Sequence, residues 1–484
     1  MHTLNSNDGW ITLFVYGVLM TILVSLFTKP DKEKDDHLVA SRSVSPLFGA
    51  FSIAVTWIWA PAIFVCGQKA FEEGLAGLFW FTFPNVLCFF TFVPIALLFR
   101  KKIPNGYSLP DYIFYRFNGD ASVHLAYVFV SICIQLGAIV MNSLAGGLLL
   151  ETICGMDKSY ATITIAGIAL FYSIWRGLPA SIITDFVQMT LILFIAFVVV
   201  PWVVVKSDGL STIHAGLAGT RGSINIFDPW IAYSFGIPTT IGLMTFPVAD
   251  QMFFQRVMAS RAKDIAKTFI YGGLVFAIIP VLLSSFGFIG AALTHKGIHT
   301  ISSAQMVNSE VVSYFLPSWT LYAFILMTLC ALSSTLDSAY CAVGSLVAVD
   351  IYQRYLHKSK TAAAKDSSVI NASKIGMLVF TILGTSIALI PDIKILWMFL
   401  IVNCLASVLF LPTIVSLYSE RVGAKTVAIS IIAAFLFSLP LSIYANVIGN
   451  PHLIVLAACM TLVLSGAVCW IGIKLLRTVA IQDS

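Results

Sequence analysis

The sequence predicts an all-α, multi-pass membrane protein with about thirteen transmembrane helices. Two bulk observations carry that prediction. Of 484 residues, 58% are hydrophobic and 11% are charged, where a soluble domain carries roughly 25% charged residues. Apolar runs of membrane-crossing length, about 17–25 residues, recur from end to end and leave no room for a sizeable soluble domain. The whole chain, 1–484, therefore reads as one membrane domain.

The segments fall at 9–27, 46–69, 74–99, 121–151, 159–175, 180–205, 231–255, 267–293, 318–350, 373–391, 394–417, 425–446 and 452–473. All but six of the 28 Lys and Arg residues lie on one side of this arrangement; the six are Lys69, Lys158, Lys206, Arg221, Lys296 and Lys394. The excess of positive charge marks the cytoplasmic side. It predicts a cell-membrane protein with its N-terminus outside and its C-terminus inside. The opening MHTLNSNDGW lacks the basic region of a cleavable signal. The long connections are 206–230 and 294–316 outside, and 351–372 inside, the last reading as a solvated linker.

Two spans are interrupted. Span two contains TWIWAPAIFVCG with Pro61 in its interior, and span seven reads SFGIPTTIGLMTFPVADQ with Gly236, Pro238, Gly242 and Pro247. Proline removes a backbone donor and clashes with the preceding turn, and in lipid the freed groups need partners. The interruptions lie five spans apart. Spans 2–6 (46–205) and 7–11 (231–417) thus form two possible five-helix halves, each led by a broken helix, between 9–27 and the two helices of 425–473. Matched breaks of this kind point to a transporter's binding site at the membrane midplane.

Span nine holds ALSSTLDSAY at 331–340. Ser334, Asp337 and Ser338 share a helical face at i, i+3 and i+4, with Thr335 one position around and one turn from Ala331. Adjacent hydroxyls and a carbonyl offer hard oxygen ligands with little formal charge, chemistry suited to an alkali cation. The alternative use of such hydroxyls is bonding between membrane helices. Asp337 reads as a protonated acid, as one side of a polar pair, or as lying near the aqueous face. A second intramembrane carboxylate is Asp185, in ASIITDFVQ; an interfacial helix-start acid is the alternative there. Nine scattered cysteines show no metal spacing. No nucleotide loop or nucleophile motif is present either, so enzymatic activity, cofactors, nucleic-acid binding and an obligatory protein partner are not expected.

These stretches resemble the sodium:solute symporter family over roughly 35–425. HLVASRSVSP is similar to its FxLAGRS segment, WRGLPASIITDFVQ to GGxxAxxxTDxxQ, and ALSSTLDSAYCAVGSLVAVDIYQRY to STADSxxxxxSSxxxxDIY. The resemblance implies a leucine-transporter-type fold of inverted five-helix repeats with one added N-terminal helix, and sodium as coupling ion. It implies sodium ligands at the Ser334 and Thr335 hydroxyls and the carbonyls of Ala331, Val55 and Ile58. It gives Asp185 an influence on cation coupling. At Trp57, proline carriers have an acid and sugar carriers an amide, whereas WIWAPA, GLFWF and KKIPNGYSL look like stretches of urea-transporting members. The expected function is sodium-coupled import of a small polar solute, with urea a candidate, by alternating access. Proton coupling, an uncoupled facilitator, and amino-acid or carboxylate symport are the alternatives. The expected solute pocket lies at the breaks, lined by some of Trp57, Trp59, Gln68, Gln135, Asn142 and Thr240. The expected partners are solute, sodium and the lipid bilayer.

Overall fold

The computed structural model describes residues 3–28, 33–221, 223–357 and 365–482. Apolar side chains drive these segments into lipid, and with no water there each backbone group must bond within its own segment, which selects the helix. Among the described residues, eleven helices are long and apolar enough to cross a membrane. The thirteen expected segments map onto them with two differences. Segments 159–175 and 180–205 form one helical run, Lys158–Lys206, and segment 46–69 is divided.

Glycine explains the first. A straight 49-residue helix would be about 74 Å long, over twice the roughly 30 Å hydrocarbon core. Gly177 breaks the run with φ 53° and ψ −139°, so it folds as two spans joined at a single residue. A Cβ at Gly177 would lie 2.4 Å from the His37 carbonyl oxygen. Gly177→Ala therefore meets both a forbidden φ and a backbone clash, and is expected to cost about 1–3 kcal/mol. Thermal unfolding in detergent checks this; an unchanged midpoint would refute it. Gly74, at φ 65°, bends Val65–Lys102 in the same way, where segment 74–99 was expected to begin.

The two interrupted spans are broken as the prolines predict. Helix Pro46–Trp57 ends at Ile58 and a new helix starts at Ala60, with Pro61 in its first turn. Helix Ile237–Thr245 tightens to a 3-10 turn at Phe246–Val248, again with proline in the first turn, and Gln251–Ala259 follows. Proline is tolerated there because those amides have no helical acceptor.

The connections gather on two faces. On the basic face Arg42 donates to the carbonyls of Asn105 and Gly106, Arg100 to Met258, and Arg116 to Ser416 and Ser419. Arg354 pairs with Asp111 at 2.6 Å, Ser108 donates to Asp350 at 2.6 Å, and His124 meets Asp350 at 3.2 Å. Tyr107 donates to Asp35, and burial with that carboxylate holds its phenol above the usual range. On the opposite face, backbone bonds from Leu75 to Leu217 and from Thr220 to Phe71 tie the 217–221 turn over the Gly74 bend. Two expected open connections carry helices, Leu210–Gly216 and Val307–Phe315. Of the expected linker 351–372, the part up to Leu356 continues the preceding helix, and 358–364 lies outside the described residues.

Candidate ion and solute site

The helix Ser318–Ser345 carries the serine-rich stretch, and all of 331–340 is buried. Thr335 Oγ1 lies 2.9 Å from the Thr56 carbonyl oxygen and 3.4 Å from that of Ala331. The hydroxyl thus spans the gap between its own helix and the end of Pro46–Trp57. Val55 O accepts from the Ile58 amide at 3.0 Å, so the Val55 and Ile58 positions flank the break itself. Ser334 Oγ donates to Asp185 Oδ1 at 2.5 Å. Thr335 therefore reaches the broken helix at Thr56, the residue after Val55, and Ser334 reaches Asp185.

Asp185 is the centre of a denser cluster than its spacing suggested. Its Oδ2 accepts from Ser52 at 2.5 Å and from Arg256 Nη2 at 3.2 Å. Arg256, counted in sequence among the basic-face charges, is instead 1% exposed, and Asp185 is fully buried. The physical reason is pairing: a buried charge persists where an opposite charge and further hydrogen bonds satisfy it. Arg256 Nη2 also lies 2.6 Å from Ser338, 3.1 Å from Thr56 and 3.2 Å from Ser181. Asp337 accepts from Tyr172 and Ser181, each at 2.7 Å. It is a buried acid held by hydroxyls, away from any aqueous face.

Sequence reasoning missed Arg256, Ser52 and Ser181. The available signals were a single arginine in the apolar run FPVADQMFFQRVMAS and the i, i+4 spacing of Ser181 and Asp185.

Around the breaks, Trp57 and Trp59 stack with centroids 5.2 Å apart, and both meet Phe246 edge-on. Trp57 Nε1 donates to Asn85 at 2.9 Å. Asn142 accepts from the Ala60 amide at 2.9 Å, fixing the first break, and Gln135 donates to Asp250 at 2.7 Å beside the second. Gln68 stands apart, donating to Glu72. Trp59 Nε1, Thr240 Oγ1, Gln135 Oε1, Asp250 Oδ2 and both polar atoms of Asn403 have no hydrogen-bond partner among the described residues. Buried polar atoms are normally satisfied, so these are groups able to receive a polar guest. Asn403, next to Gly242, was not foreseen.

Asn142→Ala leaves the Ala60 amide unpaired, at a cost of about 1–3 kcal/mol. The expected result is a lower unfolding temperature together with weaker solute binding. An unchanged unfolding temperature would show that Asn142 does not hold the break.

A model of the sodium:solute symporter family matches residues 37–434. The chain belongs to the sodium:solute symporter family. A probable urea active transporter 1 of Schizosaccharomyces pombe is 20% identical over 69% of this chain, but the match spans only 54% of that relative's length. A sodium/proline symporter of Staphylococcus aureus is 24% identical over 80% of this chain and 76% of its own. Among solved structures, a sodium-coupled sialic acid symporter in a substrate-bound outward-open state superposes with a TM-score of 0.77. It is 17% identical over 96% of this chain and 97% of its own. The symporter fold, expected from the paired breaks and the motifs, is thereby established.

Proposed function

We propose that this symporter couples sodium entry to import of a small polar organic solute, with urea the favoured candidate. The observation that carries this is the Thr335 hydroxyl lying between the Thr56 and Ala331 carbonyls, with Ser334 beside it, where helix Pro46–Trp57 breaks. Neutral oxygens from two helices suit a monovalent ion that must also leave. An ion bridging the helices stabilises one arrangement of them over another, which is what coupling requires. Sodium would sit among the oxygens of Ser334, Thr335, Ala331, Val55 and Ile58, and the solute at the Trp57–Trp59 break. Trp59 Nε1 and Asn403 offer it donors, while Gln135 Oε1, Asp250 Oδ2 and Asn403 Oδ1 offer acceptors. An acceptor-rich surface favours a solute with several N–H groups, as in urea.

In this reading the basic face is cytoplasmic, with the N-terminus outside, and the halves 46–205 and 231–417 are the inverted repeats that move against each other. The membrane potential adds about 2.3 kcal/mol per charge per 100 mV. Proton coupling is the second reading, favoured by Asp337, whose carboxylate is held by hydroxyls. Uptake into proteoliposomes of labelled urea, proline, sugars, sialic acid and short carboxylates, under separate sodium and proton gradients, decides between them. Accumulation that follows the proton gradient and ignores sodium would overturn the first reading.

A further inference from the structure

Four oxygens surround one nitrogen of Arg256. Nη2 has two hydrogens, yet Ser338 Oγ, Thr56 Oγ1, Ser181 Oγ and Asp185 Oδ2 all lie within 2.6–3.2 Å of it, and Nε donates to Ser52 at 3.2 Å. Hydrogen bonds alone cannot use all four. The arrangement is that of an oxygen cage around a cation, filled here by a tethered one. The cage draws on three helices: Thr56 and Ser52 from Pro46–Trp57, Ser181 and Asp185 from the bent Lys158–Lys206 run, and Ser338 from Ser318–Ser345. Arg256 comes from a fourth, Gln251–Ala259, which begins at the second break. Its Nη1 is buried without a hydrogen-bond partner among the described residues, so the guanidinium is only partly satisfied where it sits.

Asp185 joins this cage to the candidate ion site. Its Oδ2 faces Arg256, while its Oδ1 accepts from Ser334, an expected sodium ligand. A sodium ion bound at Ser334 and Thr335 would place a second positive charge next to the same carboxylate. Like charges that share one counter-ion repel strongly at low dielectric.

We propose that Arg256 is a built-in counter-cation that trades with the coupled sodium for Asp185. In the ion-free carrier Arg256 neutralises the carboxylate and ties Gln251–Ala259 to the three cage helices. Sodium binding loosens that tie and frees the helix that starts at the solute break, linking ion site to solute site. The return of the empty carrier is possible because Arg256 then takes over the charge of Asp185. The proposal rests on the sodium reading above.

Three measurements test it. Arg256→Gln removes the competing charge and is expected to lower the sodium concentration for half-maximal uptake roughly tenfold. Net uptake, which needs the empty return, should fall more than solute exchange with sodium on both sides, and Arg256→Lys should behave between the two. A half-saturation that is unchanged or raised, or equal loss of net uptake and exchange, overturns the proposal. In the unaltered protein, sodium in place of choline should speed amide hydrogen exchange within 251–259; no change overturns it without any variant. Wild-type uptake indifferent to sodium would fell the symport reading and this one together. Sodium-dependent uptake with no Arg256 effect would fell only this one.

Discussion

Thr335→Ala is expected to raise the sodium concentration needed for half-maximal uptake by roughly five- to 150-fold, the range given by about 1–3 kcal/mol for a lost buried hydrogen-bonding group. The hydroxyl lies 2.9 Å from the Thr56 carbonyl across the gap between helices, and no other side chain is expected to supply that oxygen. Ser334→Ala should act in the same direction and also leave Asp185 Oδ1 short of a donor. Solute affinity at saturating sodium should change much less, because the hydroxyls meet Asp185 and the Thr56 carbonyl and not the tryptophan pair. Sodium titration of uptake in proteoliposomes reads both variants. The same half-saturation in both would remove the ion from this position.

Asp185→Asn should have the largest effect on the protein's integrity. It strands the buried Arg256 guanidinium, whose salt bridge to Asp185 is 3.2 Å long. Removing one member of a buried pair costs about 3–5 kcal/mol because the remaining charge is uncompensated. A marked fall in unfolding temperature and loss of transport are expected. The double variant Asp185→Asn with Arg256→Gln removes both charges and should regain much of the stability without regaining sodium coupling. Equal unfolding temperatures for the Asp185→Asn variant and the parent protein would show that the pair does not hold the helices together.

The membrane spans were legible because lipid makes a simple demand: long apolar runs must be helical. The breaks were legible because Pro61 and Pro247 each stand in the first turn of a new helix five spans apart, although proline alone is no guide, since Pro84, Pro94 and Pro280 lie inside continuous helices. The hydroxyl pair was readable because Ser334 and Thr335 are adjacent in the chain. The rest of the site depends on distance in sequence. Ser52 and Arg256 lie far from Asp185 in the chain, and only folding brings them to it; Ser181 stands one helical turn before Asp185, and its spacing was readable. Arg256 was misassigned to the basic face because side-counting credits a charge to the nearest loop, whereas a carboxylate on another helix can hold it inside. The joining of segments across Gly177 was missed because hydropathy registers a short polar gap there, while the backbone turns at one residue.

The helix of the hydroxyl pair also bears Asp350, the residue that meets Ser108 and His124 on the basic face. Thr335 and Asp350 are fifteen positions apart on one helical run, α up to Ser345 and π from Leu346. The proposed ion position and the Asp350 contacts that would seal it from the basic face are therefore two ends of one rod. A carrier built this way would keep its ion until the seal parts, and would waste little of the gradient as leak. Weakening the seal, by contrast, would let the ion slip through without its cargo, turning stored voltage into heat.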